Sequence, residues 1–343
     1  MDIEIVLEPD IPPAQLAEIA VAAENYGIRA LWASNFWAHW DGFISLVPAA
    51  LATKTIELGV LAISPWEMHP LKIANAISSL NELSEGRSMV AIGAGGGMLA
   101  AMGKPLNPKK QRIVRAVREA IELVQSVASG ERHSAYEGEI FQLTRPHHLK
   151  WIQHRPARIY ACSTEDQMLR MGARVADSLQ MSDATLRMLP AAMESIKTGL
   201  AKRDAPADDF RIDNFWAWHI KKDREVAMYE ARRELIFRGS MLPPFTLHHF
   251  LDEDEEKLVI DQWNAIAKAF WTRSGVIEGV PEPLVEKLVA ELSSVGTLDD
   301  IDYQIERFKK FEAGGLTDIA IRLFDDPMDG LKMIGERVVP EFS

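Results

Sequence analysis

The chain of 343 residues contains one cysteine, Cys162. A lone thiol excludes an internal disulfide and a cysteine zinc cluster, and it suits a reducing compartment. Positive charge is also scarce: 38 Lys and Arg stand against 50 Asp and Glu, for a net charge of −12. That balance argues against nucleic acid and anionic membrane surfaces as partners, because both demand positive potential. No apolar run is long enough to span a bilayer, and the N-terminus lacks a basic-then-apolar leader, so the cytoplasm is the expected location. There is no GxSxG elbow for a serine hydrolase. No GxGxxG opens a helix after a strand, since Gly93-Ala94-Gly95-Gly96-Gly97-Met98 lacks the third glycine of that fingerprint. His147-His148 and His248-His249 have no carboxylate or histidine at helical ligand spacing that forms a known metal signature, so no metal is expected.

What is present is a regular alternation of short apolar strands and amphipathic helices. Strands are expected at Ile3–Leu7, Ile28–Ser34, Ile56–Ile63, Ser88–Ile92, Arg158–Ala161, Ser178–Met181, Phe210–Ile220 and Thr317–Leu323. Helices are expected between them, among others at Ala14–Asn25, Phe43–Thr53, Leu71–Leu83, Lys109–Ser129, Thr164–Val175 and Leu186–Lys202. Strand and helix alternate eight times with no linker and no internal repeat. That favours a (β/α)8 TIM barrel of one domain over residues 1–343, with insertions at about 131–152 and 224–291. The first insertion reads as a hairpin around EGEIFQL, and the acidic run Asp252–Glu256 as a solvated face or lid. In such a barrel the active site is built from the loops at the C-terminal ends of the strands.

The densest signal is Ile56–Gly97: strand, Ser64-Pro65 break, a helix opened by Pro70, the Glu85-Gly86-Arg87 stop, a second strand and a glycine loop. Its parallel strands place both loops at one end of the sheet. Gly95, Gly96 and Gly97 would let backbone approach a flat ligand, because no Cβ intervenes; a plain strand-to-helix turn is the alternative. On the seventh strand, alternation sets Trp216 and Trp218 on one face and Phe215, Ala217 and His219 on the other, and core packing accounts for the tryptophans at least as well as substrate stacking.

The run LGxxxxxPxxxHPxxxAxxxxxLxxLSxGRxxxxIGxGG resembles the bacterial luciferase-like superfamily of flavin monooxygenases and coenzyme F420 reductases. The resemblance is densest over Ile28–Gly97 and returns at Arg158–Gln180, Gly296-Thr297 and Gly315–Ile321. It implies a luciferase-like TIM barrel that is an oxidoreductase and binds a flavin or deazaflavin at its C-terminal rim. Hydride transfer from coenzyme F420 to a small organic substrate is the favoured activity. An FMN-dependent monooxygenase fed by a partner flavin reductase is the alternative, and a barrel that has lost its cofactor is a third. By family analogy the chain is expected to form a homodimer or higher homo-oligomer.

The resemblance also implies particular site residues. Leu61–Ala62 matches a non-prolyl cis peptide whose bulge, with Ile63, backs the flavin's central ring. Cys162, Ser163 and Thr164 match the loop that holds the cofactor's phosphate, where helix-start N–H groups suit an anion. Ser163 and Thr164 are alternatively only helix caps. Trp40 matches a tryptophan over the substrate, and His39 is the nearest titratable group on that loop. The chain departs from the family where relatives read Ser-Asp-His. Here Ser34-Asn35-Phe36 stands instead, and Asn35 can hydrogen-bond but cannot act as an acid or base near neutral pH. Met98 replaces a Glu that sugar-phosphate relatives carry.

Overall fold

The computed structural model describes residues 1–104, 107–243 and 245–342. Eight parallel strands close into a barrel: β1 (Asp2–Leu7), β2 (Ala30–Ser34), β3 (Glu57–Ile63), β4 (Ser88–Ile92), β5 (Arg158–Cys162), β6 (Ser178–Ser182), β7 (Arg211–Ile220) and β8 (Asp318–Arg322). Closure is made by β8 beside β1, with Ile5 opposite Ile321, and by β6 beside β7, with Gln180 opposite Asp213. The strands are almost wholly buried because each is covered on both sides, by helices outside and by the barrel contents inside.

Alternation sorts the two faces. Outward residues such as Ile5, Leu31, Leu58, Val90, Trp216 and Trp218 pack against the helix ring. Trp216 meets Phe311 with ring centroids 5.3 Å apart, and Trp218 meets Phe308 at 6.1 Å, so both tryptophans are core. Inward residues form layers. At the lower end Glu4 accepts from Arg29 and from the Trp32 indole, Arg29 also donates to the Tyr160 hydroxyl at 2.8 Å, and Gln180 donates to Asp213 at 2.6 Å. Burial pushes Glu4 up to about 7, against the pull of Arg29, and raises Asp213 well above the usual carboxylate range. Above it Trp32 and Tyr160 meet edge to face at 5.1 Å. Gly59 makes room for that indole: a Cβ there would stand 2.2 Å from the Trp32 ring. The barrel is thus plugged from below and can open only at the top.

Several expected elements are cut differently. The helix expected at Phe43–Thr53 is two, Gly42–Ser45 and Val47–Ala52, because Pro48 has no N–H to continue the ladder. Lys109–Ser129 divides at Arg112, whose φ is +51°, into Pro108–Gln111 and Ile113–Ala128. A short strand not expected from the sequence, Ser293–Gly296, pairs with Ala217–Ile220, the half of β7 that outruns β6.

The first insertion is a hairpin, Tyr136–Glu137 against Gln142–Leu143, whose turn is held by the buried Glu119 carboxylate accepting from Ile140 and Phe141 N–H at 2.8 and 3.1 Å. The acidic run caps a helix: Asp252 and Glu255 form a reciprocal capping box at the start of Glu253–Asp261. The second insertion gathers its own apolar cluster around Leu235, Met241, Leu247, Val259, Ile266 and Leu288. Among the described residues no helix is long and apolar enough to cross a membrane.

Candidate active site

A cavity of about 410 Å³ opens at the C-terminal end of the barrel. It is walled by residues from several strand ends: Glu8 after β1, Asn35, Phe36 and His39 after β2, Leu61 on β3, Cys162 on β5, Phe215 on β7, and Arg322 with Phe324 at β8. Phe237 and Phe270, from the second insertion, line its outer side and meet edge to face at 4.5 Å. Phe36 reaches Phe237 at 6.4 Å, so the β2 loop and the insertion together form the aromatic wall. Aromatic rings and charged side chains share the lining, and a concave space with convergent polar groups suits a small molecule.

The β3 end is irregular. The Leu61–Ala62 peptide is cis, and the pairing of β3 with β4 slips between Val60 and Ile63, which makes the bulge that the resemblance implies. Asn35 ties this bulge to its surroundings: its amide donates to the Ala62 carbonyl at 3.2 Å and to the Glu67 carboxylate at 2.6 Å. Burial pushes Glu67 up to about 6, opposed by that Asn35 hydrogen bond. Glu67 gives no motif signal in the sequence; it is found only through the loop that brings it back to Asn35.

The glycine loop touches the same bulge. Gly95 has φ +75°, and a Cβ on it would stand 2.3 Å from the Ser64 Cβ. Ser64 in turn donates to the Ala94 carbonyl at 3.1 Å, so the β3 and β4 loops are packed against one another. Gly96 and Gly97 open the short helix Gly96–Ala101, with free space beside Gly97.

The β5 loop departs from expectation. Neither Ser163 nor Thr164 is the helix cap. The helix is Asp166–Val175, Glu165 stands at the N-cap position, and no side chain accepts from its first turn. Ser163 is buried and its hydroxyl donates to the Met168 carbonyl at 3.2 Å, which turns it inward. One acidic neighbour is drawn aside: Asp166 accepts from the Ser195 hydroxyl at 3.0 Å and faces Arg170. Burial, with a smaller push from Asp213, raises the Cys162 thiol to about 12, so it lines the cavity as a neutral group.

Of the expected substrate-side residues, Asn35 and His39 line the cavity, and His39 stacks on Phe36 at 5.8 Å. Trp40 does not. Its side chain is 49 % exposed and lies outside the cavity lining. The short turn after Phe36 and the Asp41 carboxylate, which accepts from Phe43 and Ile44 N–H at 3.0 Å, carry it past the cavity mouth.

The model for luciferase-like monooxygenases matches residues 3–318 of the chain. The chain belongs to that family. Among relatives of the luciferase-like chain, the 5,10-methylenetetrahydromethanopterin reductase of Archaeoglobus fulgidus is 26% identical, covering 100% of both chains. An F420-dependent glucose-6-phosphate dehydrogenase of Kineococcus radiotolerans is 30% identical over 48% of this chain and 51% of its own. In fold, the coenzyme F420 dependent tetrahydromethanopterin reductase of Methanopyrus kandleri superposes with a TM-score of 0.79 at 20% identity, covering 100% of each.

Sequence reasoning missed Glu8, Phe215, Arg322 and Phe324 as individual site residues, although two of their loops are strand ends that a barrel marks for inspection. For Arg322 the signal was available: Asp318, Ala320 and Arg322 alternate onto the inner face of β8. Phe237 and Phe270 carry no such signal, because nothing local says that an insertion folds over the barrel mouth.

Proposed function

We propose that this luciferase-like enzyme is a coenzyme F420-dependent oxidoreductase acting on a small organic molecule. The observation that carries the reading is the aromatic-walled cavity seated against the β3 bulge, in a chain that aligns end to end with a methylenetetrahydromethanopterin reductase. The residues fit such a group: the bulge at Leu61, Ala62 and Ile63 would lie under its ring, and the Gly95–Gly97 loop beside it. Thr164 and the uncapped first turn of helix Asp166–Val175 would face its phosphate, where N–H groups and the helix dipole favour an anion. Ser163, turned inward, would not.

When bound, the deazaflavin supplies the hydride chemistry. The chain's own part is positioning and water exclusion. Asn35 holds the Ala62 carbonyl in place, the Phe36, Phe237 and Phe270 rings keep water from the reacting face, and His39 sets an imidazole in the cavity wall beside Phe36. Trp40 has no role in this reading.

Fluorescence titration of the purified chain with F420 and with FMN tests the proposal. Tight binding of F420 alone supports it. Preference for FMN would replace it with a monooxygenase supplied by a separate flavin reductase, and binding of neither would leave a barrel without a cofactor.

A further inference from the structure

The charged groups around the cavity are not equally satisfied. Arg233 has its whole guanidinium engaged: Nε donates to Glu234 at 2.7 Å, and the two Nη groups grip Asp325 at 2.8 and 3.2 Å. Asp325 also receives Arg273 at 3.2 Å. Here the chain answers an arginine fork with a carboxylate of its own.

Arg322 is treated differently. Only its Nε is engaged, by the Glu8 carboxylate. Neither Nη group has a hydrogen-bond partner among the described residues, and the side chain is 14% exposed, lining the cavity. The guanidinium lies over two rings, 5.3 Å from Phe215 and 5.1 Å from Phe324. Both rings also line the cavity. A second, fully buried guanidinium sits over the same two rings: Arg238, at 5.5 and 5.8 Å. It donates one Nη to Asp183 at 3.0 Å, while its Nε and other Nη are buried without a partner. Buried donors of this kind are ordinarily satisfied. Two arginines therefore stand at one pair of phenylalanines with donors to spare.

We propose that Arg322 is the anchor for a carboxylate on the substrate, with Arg238 behind it adding positive potential. A planar fork with two open N–H groups matches the two oxygens of a carboxylate. The Phe215 and Phe324 rings hold the fork still and keep water away, which strengthens the contact. The aromatic wall above favours an acid with an apolar or planar body. The proposal deepens the oxidoreductase reading and rests on it for the bound acid being a substrate.

The test is calorimetric titration of the full chain, without cofactor and again with saturating F420, using acetate, benzoate, phenylacetate and pyruvate. Phenylacetamide serves as the neutral counterpart of phenylacetate. Saturable binding of at least one acid is expected, with phenylacetate bound at least 10-fold more tightly than the amide. Arg322→Gln is expected to weaken the acid at least 10-fold, and Arg322→Lys, which keeps the charge but loses the fork, to weaken it as well, both with an unchanged circular dichroism spectrum.

Binding of none of the acids, equal binding of acid and amide, or undiminished binding by folded Arg322→Gln would overturn the proposal. Competition between F420 and the acid would also overturn it, by giving the fork to the cofactor. Failure of F420 to bind would sink the F420-dependent reading while the titration without cofactor still decides whether the fork takes a carboxylate.

Discussion

Replacing Asn35 by leucine separates the β2 loop's hold on Glu67 from its shape, because the two side chains are of similar size. In the native chain the Asn35 amide lies 2.6 Å from the Glu67 carboxylate and 3.2 Å from the Ala62 carbonyl. Burial raises Glu67 to about 6, and the Asn35 donor works against that rise. A hydrogen bond to a charged acceptor is worth about 1.5–3 kcal/mol. Glu67 is only half-buried, so water replaces part of the loss and about 1.4 kcal/mol, or about one pKa unit, is the expected net effect. Removing a donor from the ionised form raises the pKa, so Glu67 should move from about 6 to about 7. At pH 7 its protonated share then grows from about a tenth to about a half. Carbon-13 NMR of the chain labelled at the glutamate carboxyls, assigned with Glu67→Gln, reads this directly. An unchanged or lower pKa in Asn35→Leu would refute the account of how this loop is held.

Two further outcomes follow from the same kind of reasoning. Glu24 is drawn down to about 2: burial pulls the other way but is outweighed by N–H groups of Thr55, Ile56 and Lys54 and by the Thr55 hydroxyl. Its contribution is therefore present above about pH 4.5 and lost as the pH falls toward about 2. Because the carboxylate is half-buried and water makes up part of the loss, Glu24→Gln should cost about 1 kcal/mol at pH 7 and little near pH 2, as read by urea unfolding at the two pH values. An equal cost at both would remove the electrostatic explanation. Cys162, pushed up to about 12, should resist a thiol reagent at pH 8 in the native chain and react at once in denaturant. Fast native labelling would mean the thiol is ionised and the β5 loop more open than described.

The sequence by itself determined the architecture. Eight apolar stretches separated by helical periods call for a parallel sheet covered on both faces, which a barrel supplies without leaving an open edge, and the strands stand where hydrophobic patterning sets them, within a few residues. The β3–β4 unit was equally legible: Ser64-Pro65 and the glycine run lie at one end of two parallel strands, which forces their loops together. Capping was less legible, because Ser163 and Thr164 are good caps in isolation while the tertiary structure turns Ser163 toward Met168 and starts the helix two residues after Thr164.

What only the tertiary structure decided is the chemistry of the cavity. Glu67 meets Asn35 across a bulge, Arg322 meets Glu8 from the far end of the chain, and Phe237 and Phe270 arrive on an insertion with its own core. These contacts join residues from 32 to 314 positions apart, and no local pattern encodes which of them converge. Trp40 is the converse case. Its place in the motif suggests the substrate, but the turn after Phe36 and the Asp41 cap send its ring to the surface.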